Sequence, residues 1–339
     1  MTSPYLTANI IVRGSIAEGW GHVMRGVTIR DFLNHRNIKN RLILRLDTPL
    51  AQAFRAIDQG PFIIEDSDKN NDDIPSCDLC FLDQYTYTSV EIEKLQKKSM
   101  QLIVFDELAK INFTELFRTQ DRIVRAQLLK QPRHSDKGKC KIYSGLPYFV
   151  IKRDYPDDIV HPPEKLWDVL IVLGGGAGHE TIYENLAKQF KKTDPKGNLR
   201  ISIVLGANST PTFSNMISKI IPNATIHGYV GDLISLMRQS TVAIMSGGYS
   251  KYEAAYVGLP SIVFAVQDHQ VEIAKEFCSA GGGIYAGEWH NPDSIEKAVT
   301  LVEQLLRSRQ ELERISTAAK KLIDGNGLDR ILDKSLNHD

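Results

Sequence analysis

This sequence lacks long apolar runs and has few cysteines. None of its apolar runs approaches the roughly 18 residues that a membrane-spanning helix needs, so we expect no stable membrane insertion. The first residues show neither a basic segment nor a secretory cleavage pattern, which favours the cytoplasm. The four cysteines, Cys77, Cys80, Cys140 and Cys278, are too few and too scattered for a disulfide framework in a chain of 339 residues.

The sequence also has no excess of positive or of negative residues. Lys and Arg together number 41, and so do Asp and Glu, which gives a formal net charge of +0. Because nucleic-acid-binding proteins carry a basic surplus, the balance argues against that partner. It leaves room for a local phosphate site built from backbone and a few side chains. His179, His227 and His269 lack the spacing of metal ligands, and we predict neither a metal nor another cofactor.

Apolar runs alternate with helical patterns through the first half of the chain. This alternation predicts βαβ units and a parallel sheet. The predicted helices cover about 21–35, 48–58 and 88–98, and the predicted strands are Asn9–Val12, Arg41–Arg45, Phe62–Ile64, Leu79–Leu82 and Leu102–Phe105.

The same rhythm restarts after a segment rich in Pro and Asp, Asp154–Pro163. Its strands are predicted at Asp168–Leu173, Arg200–Leu205, Thr225–Ile226, Val242–Met245 and Ser261–Ala265. We therefore predict an α/β fold of two Rossmann-like domains in tandem, 1–155 and 166–339, joined by a linker over 156–165. In open α/β sheets ligands bind beyond the carboxyl ends of the strands, so we expect the site in an interdomain cleft.

The segment from Gly19 to Arg25 carries the first chemical signal. It lies between a predicted strand and an amphipathic run that predicts a helix. Gly19 and Gly21 let the backbone approach a ligand, and the helix start presents N–H groups to negative charge. Histidine is the residue whose unperturbed pKa suits proton transfer near neutral pH, and His22 occupies this turn. We predict an active-site histidine; the alternative is a surface histidine on a turn.

The segment from Ser246 to Glu253 carries the second signal. A strand ends in Gly247 and Gly248, and a helix begins near Ser250 with a hydroxyl in its first turn. Such a helix start binds phosphate through backbone N–H groups and the helix dipole. Glu253 lies about one turn further on, where it could reach the hydroxyl pair of a ribose. The alternative is a capping box, in which Ser250 caps the helix and Glu253 reaches back to it.

Polar groups also end several other predicted strands. Each one alone fits a solvated loop or a cap, but strand ends share one edge of a parallel sheet, so together they fit one cleft. In order along the chain these groups are Asp83-Gln84-Tyr85, Asp106-Glu107, Gly206-Ala207-Asn208 and Asp268-His269-Gln270.

A resemblance to a known family becomes specific when these segments are put in order. They read GWGHVMR, FLDQY, VFDELA, YFVIKRDY, VLGGG, VLGANS, GYVGDLISLMRQSTVAIMSGGYSKYEAAYVGLP and VFAVQDHQ. In this order they resemble the UDP-sugar hydrolases of pseudaminic acid biosynthesis, which release UDP from UDP-2,4-diacetamido-2,4,6-trideoxy-β-L-altropyranose. The broader group is the GT-B superfamily, and the MurG-type N-acetylglucosaminyltransferases are more distant relatives.

This resemblance implies hydrolysis of a nucleotide sugar without a metal and with inversion, in which water attacks the anomeric carbon. The nucleotide would lie on the C-terminal domain and the sugar on the N-terminal one. His22 matches the family's catalytic histidine, Tyr85 its tyrosine and Asp83 its aspartate. The implied substrate and nucleotide site comprises Gly19, Gly21, Arg25, Gly206, Asn208, Tyr229, Val230, Gly247, Gly248, Tyr249, Ser250, Lys251, Glu253, Asp268 and Gln270.

The chain departs from the family pattern at a few of these positions. Tyr249-Ser250 stands where the family has Ser-Thr, Gln84 where it has histidine and His269 where it has asparagine. Lys251 replaces a small residue and could contact phosphate directly. The sugar and the nucleotide therefore stay open, and the sequence does not set the oligomeric state.

Two other functions remain. One is a GT-B glycosyltransferase that uses His22 on an acceptor hydroxyl, and the other is a sugar-nucleotide binding protein without turnover. The hydrolase is favoured because a basic amphipathic membrane-docking patch, common in lipid-acceptor transferases, is not evident.

Overall fold

The structure is a computed structural model that describes residues 6–15, 20–58, 60–66, 71–127, 138–152, 164–174, 179–206 and 209–336. The chain divides into two compact units. Unit 1 is formed by Met1–Lys152 and Gly325–Asp339, and unit 2 by Arg153–Asp324. The predicted linker over 156–165 falls almost wholly outside the described residues. The predicted C-terminal domain ends too late, because the chain after Asp324 returns to unit 1.

Unit 1 contains a parallel sheet of seven strands in the order β3-β2-β1-β4-β5-β6-β7. Its strands are β1 (Thr7–Gly14), β2 (Lys39–Leu46), β3 (Ile63–Asp66), β4 (Cys77–Asp83), β5 (Ser99–Phe105), β6 (Arg122–Arg125) and β7 (Lys141–Ser144). Its helices are α1 (Gly21–His35), α2 (Thr48–Ile57), α3 (Ser89–Lys98) and α11 (Gly327–Leu336).

Unit 2 contains a parallel sheet of six strands in the order β10-β9-β8-β11-β12-β13. The strands are β8 (Trp167–Val172), β9 (Ile201–Val204), β10 (Thr225–His227), β11 (Ser240–Ser246), β12 (Ser261–Ala265) and β13 (Ile284–Glu288). The helices are α4 (Glu180–Thr193), α5 (Pro211–Ile220), α6 (Leu233–Arg238), α7 (Ser250–Val257), α8 (Gln270–Ser279), α9 (Pro292–Leu306) and α10 (Arg309–Lys320).

The predicted α/β fold is confirmed. It could be predicted because both faces of the strands are buried. In β8, Val169 and Ile171 pack into an apolar cluster on one face, while Leu170 and Val172 pack into a second cluster. Strands buried on both faces are continuous apolar runs, and such runs are visible in a sequence. The strands β6, β7 and β13 were not predicted.

Both sheets have the doubly wound order in which the chain starts in the middle and fills one side before the other. The order reverses between β1 and β4 in unit 1 and between β8 and β11 in unit 2. Ligands of such sheets bind at the carboxyl ends of the strands beside this switch point.

Candidate active site

His22 lies at the switch point of unit 1, in the first turn of α1. The helix approaches β1 closely because Gly26 has no side chain. A Cβ at Gly26 would lie 2.6 Å from the Cγ2 atom of Val12. This approach places the start of the helix at the carboxyl end of the strand, and His22 is only 7% exposed there.

Asp83, the last residue of β4, is the hydrogen-bond partner of His22. Its Oδ1 atom lies 2.6 Å from Nδ1 of His22. The register of the sheet explains why Asp83 and His22 are close. Asp83 is paired with Val12 of β1, the strand that α1 follows. Burial opposes the charge of Asp83, but Arg25 and His22 outweigh it, and the pKa of this carboxyl is lowered.

The ion pair with Arg25 keeps the carboxyl of Asp83 ionised. An ionised carboxylate only accepts hydrogen bonds, so Nδ1 of His22 carries the hydrogen and donates it. In the neutral imidazole, Nε2 then holds a lone pair that can take a proton. This His–Asp pair has the chemistry of a general base whose tautomer is set by a carboxylate.

Arg25 supports this pair from the same helix, one turn after His22. Its Nε and Nη2 atoms donate to the two carboxylate oxygens of Asp83 at 2.6 and 2.8 Å. Nη1 donates to Glu107, and the guanidinium lies 4.8 Å from the ring centroid of Phe105. These contacts use the guanidinium and the residue is only 2% exposed, so substrate binding by Arg25 stays a prediction.

Glu107 completes a buried chain of charges. It accepts from Arg25 and, at 3.0 Å, from the backbone N–H of Gln127. Burial raises the pKa of Glu107, although Arg25 opposes this effect. The chain thus runs from Glu107 through Arg25 and Asp83 to His22. Two sequence signals point to it: the spacing of three residues puts His22 and Arg25 on one helix face, and Asp83 and Glu107 follow the ends of neighbouring predicted strands.

The ring of Tyr85 contacts the ring of His22. The two rings meet edge to face with their centroids 4.5 Å apart. Lys110 is exposed, and its Nζ atom lies 5.6 Å from the centroid of the Tyr85 ring. An aromatic ring, an imidazole and a cation are therefore grouped at one end of the sheet. Gly21 begins α1 beside them, whereas Gly19 lies outside the described residues.

Two other strand-end residues that were expected to line the same cleft have different partners. Gln84 donates through Nε2 to the carbonyl of Thr86 and to Glu91. Asp106 accepts from Arg125 at 3.0 Å and from the backbone N–H of Lys110 at 2.8 Å. Asp106 is 1% exposed, so it stabilises the loop that follows β5 instead of lining a cleft.

The second predicted site lies at the switch point of unit 2. Strand β11 ends at Ser246, Gly247 and Gly248 follow, and α7 begins at Ser250. The N-cap residue is Tyr249, with no side-chain cap hydrogen bond, so Ser250 is not the N-cap that the capping-box alternative requires. Ser250 lies inside the first turn, and Glu253 is half-buried one turn into the helix.

Helix capping separates helices α1–α10 into two groups. Six helices have a side-chain cap at the N-terminus, provided by Asp47, Thr88, Thr210, Asp232, Asn291 and Ser308. The four helices α1, α4, α7 and α8 show no side-chain cap hydrogen bond. Of these, α1 follows a switch-point strand of unit 1, and α4 and α7 follow those of unit 2. An anion can satisfy the N–H groups of such helix starts.

Lys251 does not point toward an exposed phosphate site. It is 0% exposed, and Nζ donates to the carbonyl oxygens of Gly247 at 2.6 Å and Gly248 at 3.0 Å. The ammonium is held inside the unit in this arrangement, and a direct phosphate contact stays a prediction.

The other predicted residues of unit 2 lie on loops at the strand ends. Gly206 has φ of +87°, Tyr229 is 37% exposed, and Val230 packs against the core. Asp268 is exposed, and the Oε1 atom of Gln270 accepts from the backbone N–H of Val266 at 3.1 Å. Asn208 lies outside the described residues. Their ligand roles stay predictions.

Neither a metal cluster nor a spanning helix is found in the part of the chain that the structure describes. No group of three or more His, Cys, Asp or Glu side chains there is arranged to hold a metal ion. None of the described helices is long and apolar enough to cross a membrane.

The fold is the two-domain GT-B fold, and the chain is related to the GT-B superfamily. Residues 169–328 match the Glycosyltransferase family 28 C-terminal domain. The solved structure of LpCGTa in complex with UDP is similar over 98% of both chains, with a TM-score of 0.63 and 14% identity.

Two curated relatives are similar in sequence. Spore coat polysaccharide biosynthesis protein SpsG of Bacillus subtilis is 24% identical over 203 residues, which is 58% of each chain. A UDP-N-acetylglucosamine–N-acetylmuramyl-(pentapeptide) pyrophosphoryl-undecaprenol N-acetylglucosamine transferase of Francisella tularensis is 27% identical over 172 residues. That match covers 48% of this chain and 46% of the transferase. The chain thus spans less than two thirds of the length of either relative.

Proposed function

We propose that this protein is a nucleotide-sugar hydrolase. It releases UDP from a UDP-linked (di)acetamido-deoxy sugar, in the synthesis of nonulosonic acids or related surface glycans. The hydrogen bond of 2.6 Å between Asp83 and His22 carries this proposal, because it prepares a base at a ligand-binding strand end. The names of the two relatives, a spore coat polysaccharide protein and a UDP-sugar transferase, support the substrate class.

The proposed reaction needs one base and one stabilised leaving group. Nε2 of His22 takes a proton from water while the water oxygen forms a bond to the anomeric carbon. The bond between that carbon and the phosphate oxygen breaks, and UDP leaves with the electron pair. The sugar gains a hydroxyl of inverted configuration. His22 becomes an imidazolium that the ionised Asp83 stabilises, and it later loses its proton to solvent.

Departure of UDP depends on a site that binds its negative charge and does not need a strong general acid. UDP departs as a weakly basic diphosphate, so the enzyme has to stabilise negative charge and to position the water. In this proposal the uncapped helix starts of unit 2, with Gly247, Gly248 and Ser250 at α7, bind the diphosphate. Glu253 then accepts hydrogen bonds from the ribose hydroxyls.

A glycosyltransferase is the second candidate. The match of residues 169–328 to the Glycosyltransferase family 28 C-terminal domain favours it. The same base would act on the hydroxyl of an acceptor sugar instead of on water, with the same leaving group. A protein that binds sugar nucleotides without turnover is the third possibility.

Release of nucleotide from a panel of UDP-, CMP- and GDP-sugars, without any acceptor, tests these candidates. For the hydrolase we expect release from a UDP-sugar, and a product whose first-formed anomer by proton NMR is inverted. Release that depends on an added acceptor would identify a transferase instead. UDP binding without release under either condition would leave only a binding protein.

His22→Asn tests the base in the same assay. We expect kcat to fall by a factor of 100 or more, roughly the contribution of one general base, while UDP affinity is kept. His35→Asn is the matched control, since His35 is exposed at the other end of the same helix. Equal turnover of the His22→Asn variant and the wild type would remove His22 from the mechanism.

A further inference from the structure

Lys251 is buried directly beneath the glycine turn of unit 2. Its side chain is in the first turn of α7, and its ammonium donates to the carbonyls of Gly247 and Gly248. The Nζ atom also lies 3.8 Å from the centroid of the Tyr252 ring and 5.7 Å from that of Phe277. Carbonyl oxygens and aromatic faces are the neutral groups that best stabilise a buried cation.

The two carbonyl contacts determine where the N–H groups of the turn point. The carbonyl of one residue and the N–H of the next belong to one planar trans peptide and point in opposite directions. The carbonyls of Gly247 and Gly248 face the ammonium, so the N–H groups of Gly248 and Tyr249 face away from it. Two successive N–H groups are thereby directed to the side of the turn opposite Lys251, and there the N–H of Gly248 donates to Oγ of Ser246 at 3.3 Å.

The turn is confined on a second side by α8. A Cβ at Gly247 would lie 2.9 Å from Cβ of Gln270 and 3.3 Å from Cβ of Ala274. Gln270 is in turn tied to the end of β12 by the hydrogen bond from Val266. The turn therefore has little room to rotate its peptides while Lys251 and α8 are both in place.

A buried ammonium is costly, whereas a methionine of similar length would fill the same space without that cost. We propose that Lys251 is a positioning residue that pre-organises the Gly247–Gly248 turn to bind the diphosphate of a nucleoside diphosphate. This inference rests on the proposed function, since it concerns the same nucleotide site. The ammonium acts through the two carbonyls and does not itself contact the ligand.

Calorimetric binding of UDP and of uridine to wild type and Lys251→Met tests the inference. We expect the UDP affinity of the variant to fall about tenfold, as for the loss of one or two ordering hydrogen bonds, and uridine affinity to stay unchanged. The dependence of UDP affinity on salt concentration should stay parallel to that of the wild type, because no ion pair with phosphate is lost. Lys275→Met is the control, since Lys275 is an exposed lysine of α8.

Each other outcome overturns the inference. Equal UDP affinity of Lys251→Met and wild type would show that the turn needs no ammonium. A weaker salt dependence in the variant would mean that Lys251 binds phosphate directly, and an equal loss for UDP and uridine would mean a general structural role. If Lys251→Met does not fold, Lys251→Leu also removes the donor, and wild-type UDP affinity of that variant would overturn the inference as well. A wild type that binds no UDP would instead refute the proposed nucleotide site itself.

Discussion

The guanidinium of Arg25 donates to both carboxylate oxygens of Asp83, with Nε 2.6 Å from Oδ2 and Nη2 2.8 Å from Oδ1. Two parallel hydrogen bonds fix the plane of the carboxylate as well as its charge. Asp83 is thus held on one side by Arg25 while Oδ1 also accepts from His22. The orientation of the imidazole therefore depends on a residue that has no contact with substrate in the proposed reaction.

Arg25→Met should destabilise unit 1 and reduce turnover without weakening UDP binding. Removing one partner of a buried ion pair leaves the carboxylates of Asp83 and Glu107 without their cation, which typically costs about 3–5 kcal/mol. Urea unfolding measures this loss, and kcat and the Kd of UDP are measured on the folded variant. Arg25→Lys should recover part of the stability but little of kcat, because an ammonium cannot replace the planar fork. A large rise in the Kd of UDP would instead return Arg25 to the substrate site.

The two carboxylates beside Arg25 should give opposite pH dependences of stability. The folded-state pKa of Asp83 is lowered, so its contribution is present above the unfolded pKa of about 3.9 and is lost as the pH falls through the folded value. The folded-state pKa of Glu107 is raised, so its contribution declines as the pH rises above about 4.3 toward the folded value.

Urea unfolding of wild type, Asp83→Asn and Glu107→Gln between pH 3 and 7 measures both effects. The stability advantage of the wild type over Asp83→Asn should shrink toward low pH, and its advantage over Glu107→Gln should shrink toward high pH. Parallel curves for the two variants would contradict the assigned directions.

Glu253→Gln should weaken binding of UDP but not of 2′-deoxy-UDP to the same extent. A hydrogen bond from a hydroxyl to a charged group contributes about 1.5–3 kcal/mol, so we expect a loss of roughly 10- to 100-fold for UDP. Glu272→Gln is the control, because Glu272 is an exposed acid in the first turn of the neighbouring α8. A variant that lost only thermal stability would show that Glu253 serves the helix and not the ribose.

Tyr183→Phe should destabilise unit 2 at the end of β8. The buried hydroxyl of Tyr183 accepts from the N–H of Leu173 at 2.9 Å and donates to the carbonyl of Val204 at 2.7 Å. Both backbone groups would lose their partner, at a cost of about 1–3 kcal/mol in the free energy of unfolding. Tyr285→Phe is the matched control, since the buried Tyr285 hydroxyl has no hydrogen bond among the described residues. We expect that control to unfold at the same urea concentration as the wild type.

The strands that were predicted correctly are those whose own residues form a recognisable pattern in the sequence. Strands such as Ile10–Val12 are apolar on both faces, so burial leaves a continuous run in the sequence. The strand β6 was missed because arginines begin and end it. The buried Arg125 donates to Asp106 at 3.0 Å. Asp106 follows a different strand, so the residues next to Arg125 in the sequence do not reveal this partner.

In the candidate site, too, local features could be predicted from the sequence and tertiary contacts could not. The glycine turn and the histidine were recognisable because backbone freedom and residue type are local properties. Arg25 was assigned to the ligand through the family resemblance, and Lys251 because it could contact phosphate directly. The structure adds tertiary contacts to both: a carboxylate of β4 pairs with Arg25, and two carbonyls with two aromatic rings surround the ammonium of Lys251. Those contacts cannot be read from spacing.

The last helix, α11, packs with the unit in which the chain begins. Gly327 abuts the carbonyl of Phe149, Arg330 donates to the carbonyl of Pro147 at 2.8 Å, and Leu328, Ile331 and Leu332 are buried. During synthesis, all of unit 2 leaves the ribosome before this helix does. Domains usually complete folding in the order of synthesis, but here the second unit can be complete while the first still lacks a piece. The His22–Asp83 pair therefore belongs to the unit that is finished last.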